Sequence, residues 1–386
     1  MKNVIPYSCQ DISEADIAAV VAVLRAPFLT QGPAVEQFEV GFAALHDSAH
    51  GIAVANATAA LHIACQVLGA APGARVWTSP NSFVASANCA RYCGATVDFV
   101  DIDPHTRNMS ITRLAEKLEH AARVGELPLI VIPVDFAGYP CDMRAIRELA
   151  DRYGFSIISD SSHAVGAQYY GQPVGRFADI SVFSFHPVKI ITTGEGGMCL
   201  TNDDVLASKL TMARSHGITR KPDEMEGPVD GPWYYEQISL GFNYRLTDIQ
   251  AALGLSQLGR HSERAARRDD LARRYDESLT QLPLHLPLRT SDYVSAHHLY
   301  VIEVDERHTS KTRLALYEAL RSEGVSPNVH YIPIHLQPDF RKLGFAIGDF
   351  PDCERYYGRA LSIPLYSSMT DAQQDHVIAA LKRALS

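Results

Sequence analysis

Short, almost wholly apolar runs recur through the first half of the chain, at 74–78, 95–99, 129–134, 155–159, 179–185 and 196–201. At five to seven residues they are too short for buried helices and are read as strands. Helical spacing fills several of the gaps, at about 82–91, 110–122, 142–153 and 203–215. Continuous apolar strands alternating with helices predict a mostly parallel sheet covered on both faces. Upstream lies an extended arm over 1–12, then Ser13 and Asp16, which form a capping box ahead of ADIAAVVAVL. A polar turn, Phe28 to Pro33, precedes a second helix, and a short strand at 51–55 runs into helical periodicity from Ala57 to Leu68.

The rhythm changes after Leu246. One long amphipathic helix is predicted over 247–280, followed by a strand at 297–305, a helix at 309–322, a strand at 325–331 and helices at 351–360 and 371–384. This divides the chain into a larger α/β domain, 1–250, and a smaller C-terminal α+β domain, 251–386, which includes the bridging helix. The stretch 219–237 has little periodicity and reads as a long loop.

In such sheets ligands sit beyond the carboxyl ends of the strands. Asn56, Phe83, Asp135, Asp160 and Ser184 all fall at or just past predicted strand ends, so they are expected to converge. Asn56-Ala57-Thr58-Ala59-Ala60 stands where a strand becomes a helix. The free amides and positive dipole end of that first turn suit a phosphate, and Thr58 adds a hydroxyl. An ordinary N-cap by Asn56 is the plainer reading. No GxGxxG or GxxxxGK[ST] offers a competing phosphate site.

The chemistry concentrates between Asp160 and Gly197. A buried carboxylate such as Asp160 favours the protonated form of a pyridine nitrogen, and an amine such as Lys189 can form an imine with an aldehyde and then move protons at the same carbon. Phe83 is placed to lie on a flat ring, and His163 to pack on it or donate to a ring oxygen. Taken singly, Lys189 reads as solvated surface and Asp160 as a strand-end cap.

Composition narrows the field without naming the reaction. The 386 residues carry a net charge of -9 and no basic block interleaved with aromatics, so no nucleic-acid partner is expected. No apolar run reaches the roughly 18 residues of a membrane span, and the N-terminus lacks the apolar segment of a signal peptide. Seven scattered cysteines read as thiols of a reducing cytoplasm. Cys89 and Cys93 lie four apart without a completing ligand, so no metal is expected.

Several segments together resemble the DegT/DnrJ/EryC1/StrS family of sugar-nucleotide aminotransferases, which use pyridoxal 5'-phosphate (PLP). They are Asp160-Ser161-Ser162-His163-Ala164, Ser181 to His186, Lys189, Thr192 to Gly197 and Gly241-Phe242-Asn243-Tyr244-Arg245. The resemblance implies a fold type I, aspartate aminotransferase-like architecture and spans nearly the whole chain. It implies that Lys189 is the Schiff-base lysine, Asp160 the partner of the pyridine nitrogen, His163 a neighbour of the ring oxygen and Phe83 the stacking residue. Thr58, Ala59 and Ser184 would hold the phosphate, with Asn243 reaching it from the second subunit of a homodimer whose active site is shared. Leu29, Thr30, Gln31, His330, Tyr331 and His335 would meet the sugar.

L-glutamate is the implied amino donor, leaving 2-oxoglutarate and the pyridoxamine form of the cofactor. The implied acceptor is a UDP-linked 4-keto sugar, the β-L-arabino sugar of the pseudaminic acid route, with its D-xylo C5 epimer as the alternative. Two other classes remain open: a hydrolase using Ser161 or Ser162 with His163, and a noncatalytic sugar-nucleotide binding protein. Related dehydratases carry histidine in place of the imine lysine, so Lys189 argues for transamination.

Overall fold

The computed structural model describes residues 4–386. Its centre is a seven-stranded sheet in the order His50–Val54, Gly197–Thr201, Ile180–Ser184, Ser156–Asp160, Ile130–Ile132, Arg75–Thr78, Thr96–Phe99. Neighbouring strands run parallel from Ile180–Ser184 to Thr96–Phe99. Gly197–Thr201 is antiparallel to both of its neighbours, so it alone opposes the common direction. Alternation along the strands separates the two faces: Val76, Ile130, Ile132 and Ile158 join one core with the helix Ala57–Val67. Trp77, Val131 and Ile157 pack beneath Ile111–Val124 and Met143–Tyr153 instead. The chain is therefore an α/β fold with a mixed, mostly parallel sheet covered by helices, of the fold type I class.

All seven predicted strands of this sheet are present, each end within two residues. Helices start where small polar residues cap them: Ser13 and Asp16 form the expected capping box, and Asn56, Ser110 and Asp142 cap three further helices. The predicted helix 247–280 is two helices, Asp248–Leu258 and His261–Leu279, broken at Gly259 and Arg260. The first packs on Glu14–Leu24 and Pro33–Leu45. The second belongs to a separate apolar core with Tyr300, Ile302, Leu316, Leu361 and Leu381.

That C-terminal core is organised on a three-stranded antiparallel sheet, Leu284–His285, Tyr300–Val304 and Ala360–Ile363. The last strand follows directly on the helix Pro351–Arg359 and was absent from the sequence reading, as was the pairing of Tyr293–Val294 with Gln168–Tyr169. The predicted strand 325–331 is a short strand at Val325–Ser326, parallel to Ile5–Pro6, followed by a single antiparallel bridge from Asn328 to Ser362. Of the predicted arm, residues 1–3 lie outside the described residues. The rest is tied down by Ser8 Oγ donating to the Val188 carbonyl at 3.0 Å and by the Leu365 amide donating to the Tyr7 carbonyl at 3.1 Å. Among the described residues no helix is long and apolar enough to cross a membrane.

Candidate active site

The carboxyl ends of the sheet open into a cavity of about 900 Å³. Asp160 ends its strand on the cavity wall, only 6% exposed. Its Oδ2 accepts from Ser86 Oγ at 2.6 Å and its Oδ1 from the Ser162 amide at 3.2 Å. Ser82 Oγ, just ahead of the helix Ala85–Tyr92, lies 2.7 Å from Ser86 Oγ in its first turn, so the two hydroxyls form a short chain ending on the carboxylate. Both oxygens keep a second lone pair for a ligand.

Lys189 stands in the turn after Ile180–Ser184, its amide bonded to the His186 carbonyl at 2.8 Å. The cavity still reaches its side chain, which is half-buried among the surrounding protein atoms. That desolvation brings the amine from its ordinary value down to about 8, against the opposing pull of Asp160. A lysine so placed holds a substantial neutral fraction near physiological pH.

On the phosphate side, Asn56 caps the helix Ala57–Val67, and its Oδ1 accepts from the Ala59 amide at 2.8 Å. The N-cap expected of Asn56 is present. The cap takes the Ala59 amide, which leaves the first-turn amides of Ala57 and Thr58, the Thr58 hydroxyl and Ser184 beside the cavity. Close packing supports the junction from below: a side chain at Gly197 would bring its Cβ to 2.6 Å from the Asn56 carbonyl carbon and 2.7 Å from the Ala57 nitrogen.

His163 is buried, and its Nδ1 accepts from the Ala137 amide at 3.2 Å. The ring proton therefore sits on Nε2, which donates to the Tyr331 hydroxyl 3.2 Å away. Burial, with Lys189 and His330 nearby, holds this imidazole well below its usual pKa, so it is neutral. His330 is likewise saturated: Asn328 Nδ2 donates to Nε2 at 3.3 Å and Nδ1 donates to Ser362 Oγ at 2.7 Å. Burial and then Lys189 push it down to about 3.

Phe83 reaches the rim, 59% exposed, with its ring 6.4 Å from that of Tyr331. Thr58, Ala59, Phe83, Asp160, His163, Ser184, Lys189, His330 and Tyr331 thus meet at one cavity.

Four predicted contacts are placed elsewhere. His335 is fully buried, its Nε2 2.9 Å from Glu354 Oε1 and its ring against Phe350, so its polar edge belongs to the protein interior. Leu29, Thr30 and Gln31 are exposed in a turn drawn outward by Asp248, whose carboxylate accepts from the amides of Gly32 and Ala34. Asn243 is exposed and pairs with Ser215, while its neighbour Tyr244 turns inward to the cavity and meets His62 Nδ1 at 3.1 Å. Asp135, expected at the same strand edge, lies fully buried behind Asp160 and bonds Ser161 Oγ at 2.7 Å. Burial pushes it up to about 6. That contact turns Ser161 to a carboxylate rather than to His163 and removes it from the hydrolase reading.

Other wall residues escaped the sequence reading. Tyr7 comes from the arm, Ser86 from the helix Ala85–Tyr92, and His298 and Asn328 from the C-terminal part. The Ser82 and Ser86 spacing was the one local signal available, since the other contacts join residues far apart in the chain.

Among solved structures, Helicobacter pylori PseC, an aminotransferase involved in the biosynthesis of pseudoaminic acid, superposes with a TM-score of 0.90 at 30% identity, covering 99% of each chain. Spr1654 of Streptococcus pneumoniae, solved in a PLP-form, gives 0.87 at 28% identity over 99% of this chain and 100% of that one. The spore coat polysaccharide biosynthesis protein SpsC of Bacillus subtilis (strain 168) is 39% identical over 381 residues, 98% of this chain and 96% of its own. A family model matches residues 10–382, and with this cavity behind it the chain belongs to the DegT/DnrJ/EryC1/StrS aminotransferase family.

Proposed function

We propose that the protein transfers an amino group from L-glutamate to C4 of a nucleotide-linked 4-keto-6-deoxy sugar, with PLP as its cofactor. The observation that carries this reading is the pairing, in one cavity, of the hydrogen-bonded carboxylate of Asp160 with the desolvated amine of Lys189. The residues present fit PLP: small side chains and unpaired amides at the helix start for a phosphate, an acid for a ring nitrogen, and an amine for an aldehyde. When bound, PLP supplies an electron sink for the carbon that loses its proton.

The protein's own groups then do the following. Asp160 holds a proton at the ring nitrogen, and Thr58, Ala59 and Ser184 form the phosphate end, with the Ala57 amide added and Ala59 contributing shape rather than its capped amide. Phe83 packs on the ring. Lys189 Nζ takes the proton from the α-carbon of glutamate and, with the second substrate, delivers one to C4 of the sugar. Lowering the amine to about 8 suits it to both directions. His163 holds Tyr331 against the cavity rather than spending its own proton on a ligand.

Within this class we favour the UDP-linked β-L-arabino sugar of the pseudaminic acid route, supported by the match to PseC across nearly its whole length. The higher identity to SpsC supports a second reading, a different 4-keto sugar of a polysaccharide route, the D-xylo epimer included. We place the cofactor unit at 1–250 and the smaller unit at 251–386. The exposed Leu29, Thr30, Gln31 and Asn243 then serve the cavity of a second copy in a homodimer. His330 and Tyr331 remain sugar-side wall residues.

The test loads the purified protein with L-glutamate, removes the donor and adds either the UDP-linked L-arabino 4-keto sugar or its D-xylo epimer. Return of visible absorbance with the L sugar alone supports the pseudaminic route, and return with the D sugar alone moves the protein to the other. Absence of any response to glutamate would overturn the transaminase reading.

A further inference from the structure

Three histidines ring the amine of Lys189, and they differ in one respect. Both ring nitrogens of His163 and of His330 are engaged by protein groups. His298 is only 2% exposed, its ring centroid 4.3 Å from that of His163. Its Nδ1 is buried with no hydrogen-bond partner, and among the described residues its Nε2 has none either, while the ring lines the cavity. With Nδ1 enclosed, Nε2 is the ring nitrogen left to meet a ligand from the cavity. The backbone is fixed meanwhile, since Arg268 Nη1 donates to the carbonyls of His297 and His298.

The kind of ligand follows from what the cavity lacks. Among its lining residues Lys189 is the one lysine and there is no arginine. An α-amino acid that presents its α-carbon to Lys189 brings a carboxylate one bond away. A sugar that presents C4 brings only neutral carbons and hydroxyls to the same place. A carboxylate so placed needs a hydrogen-bond donor beside the lysine, and the other two histidines already have partners.

We propose that His298 is the residue that binds the α-carboxylate of the amino donor, through Nε2–H. The assignment rests on the transaminase reading and adds to it the group that tells the donor from the acceptor.

The test uses the holoprotein and maleate, a dicarboxylate that cannot react, with UDP as the probe of the sugar-nucleotide side. His298→Phe keeps the ring volume against His163 and removes the donor. Its dissociation constant for maleate is expected to rise about 10- to 100-fold, with UDP affinity unchanged. His298→Gln keeps an N–H and is expected to stay within about fivefold of the native protein for maleate. Maleate binding by the Phe variant equal to the native protein, or parallel loss of maleate and UDP, overturns the proposal. A second readout does not depend on the Phe variant folding: in imidazole ¹⁵N spectra of the native holoprotein, one signal that is missing from His298→Gln should shift with maleate. A signal that stays put also overturns it. Native protein that takes up no PLP at all overturns the transaminase reading instead, before maleate is added.

Discussion

The two sides of the cavity are built on opposite principles. On the sheet side the carboxylate and the helix cap already have protein partners: Ser82, Ser86 and the Ser162 amide converge on Asp160, and Asn56 bonds the Ala59 amide in the first turn of its helix. On the outer side Phe83 presents its ring to solvent at 59% exposure, and beyond the cavity lining Trp233 and Leu240 are each 69% exposed. The first region is complete in one chain and sets chemistry in advance of any ligand. The second leaves apolar surface exposed, and we propose that another copy covers it.

The sharpest way to break this contrast is to damage one side in each of two chains. Lys189→Ala alone should lose about 10³-fold or more in amino transfer and all borohydride-trappable PLP. Asn243→Asp, which sets a negative charge where a second copy's phosphate would bind, should also be nearly inactive. If each site draws on two chains, mixing and reassociating the two variants leaves one intact site in each mixed dimer and restores about one quarter of native activity. No recovery would confine the site to one chain.

A smaller effect probes the sheet side. Ser86→Ala removes the 2.6 Å bond to Asp160, and the rate should fall about tenfold, with weaker retention of PLP. Ser86→Thr, which keeps a hydroxyl, should recover most of both; an unchanged alanine variant would make the serine chain incidental. The smallest effect is that of pH. Burial lowers the Lys189 amine to about 8, so its neutral form grows as pH rises. The rate of PLP capture by the apoprotein should rise about fivefold from pH 7 to 8 and less than twofold from 8 to 9. A plateau already reached below pH 7, or none before pH 10, would contradict the desolvated lysine.

The same contrast explains what could be read in advance. Strands of Val, Ile and Phe bounded by capping residues carry local signals, so the central sheet, Asp160 at its edge and Lys189 beyond it were legible from periodicity and residue chemistry. Contacts between distant segments have no such signal. Ser86 and Asp160 are 74 positions apart, and Tyr7 enters the cavity from the arm. His335 carries the same side chain as His330 five positions earlier, yet one pairs with Glu354 in the interior and the other faces the cavity. The strand Ala360–Ile363 carries no local signal because its four residues, three of them apolar, follow the helix before it without a turn.

Gly197 shows how far the cavity's demands extend. It makes no contact with a reacting group, yet even one extra carbon there would press on the Asn56 and Ala57 backbone. In a saturation library screened for colour, position 197 should return a single letter, while exposed Asn243 tolerates replacement whenever a native copy is coexpressed. Robustness to mutation in this enzyme would then follow crowding at the sheet edge more closely than distance from the chemistry.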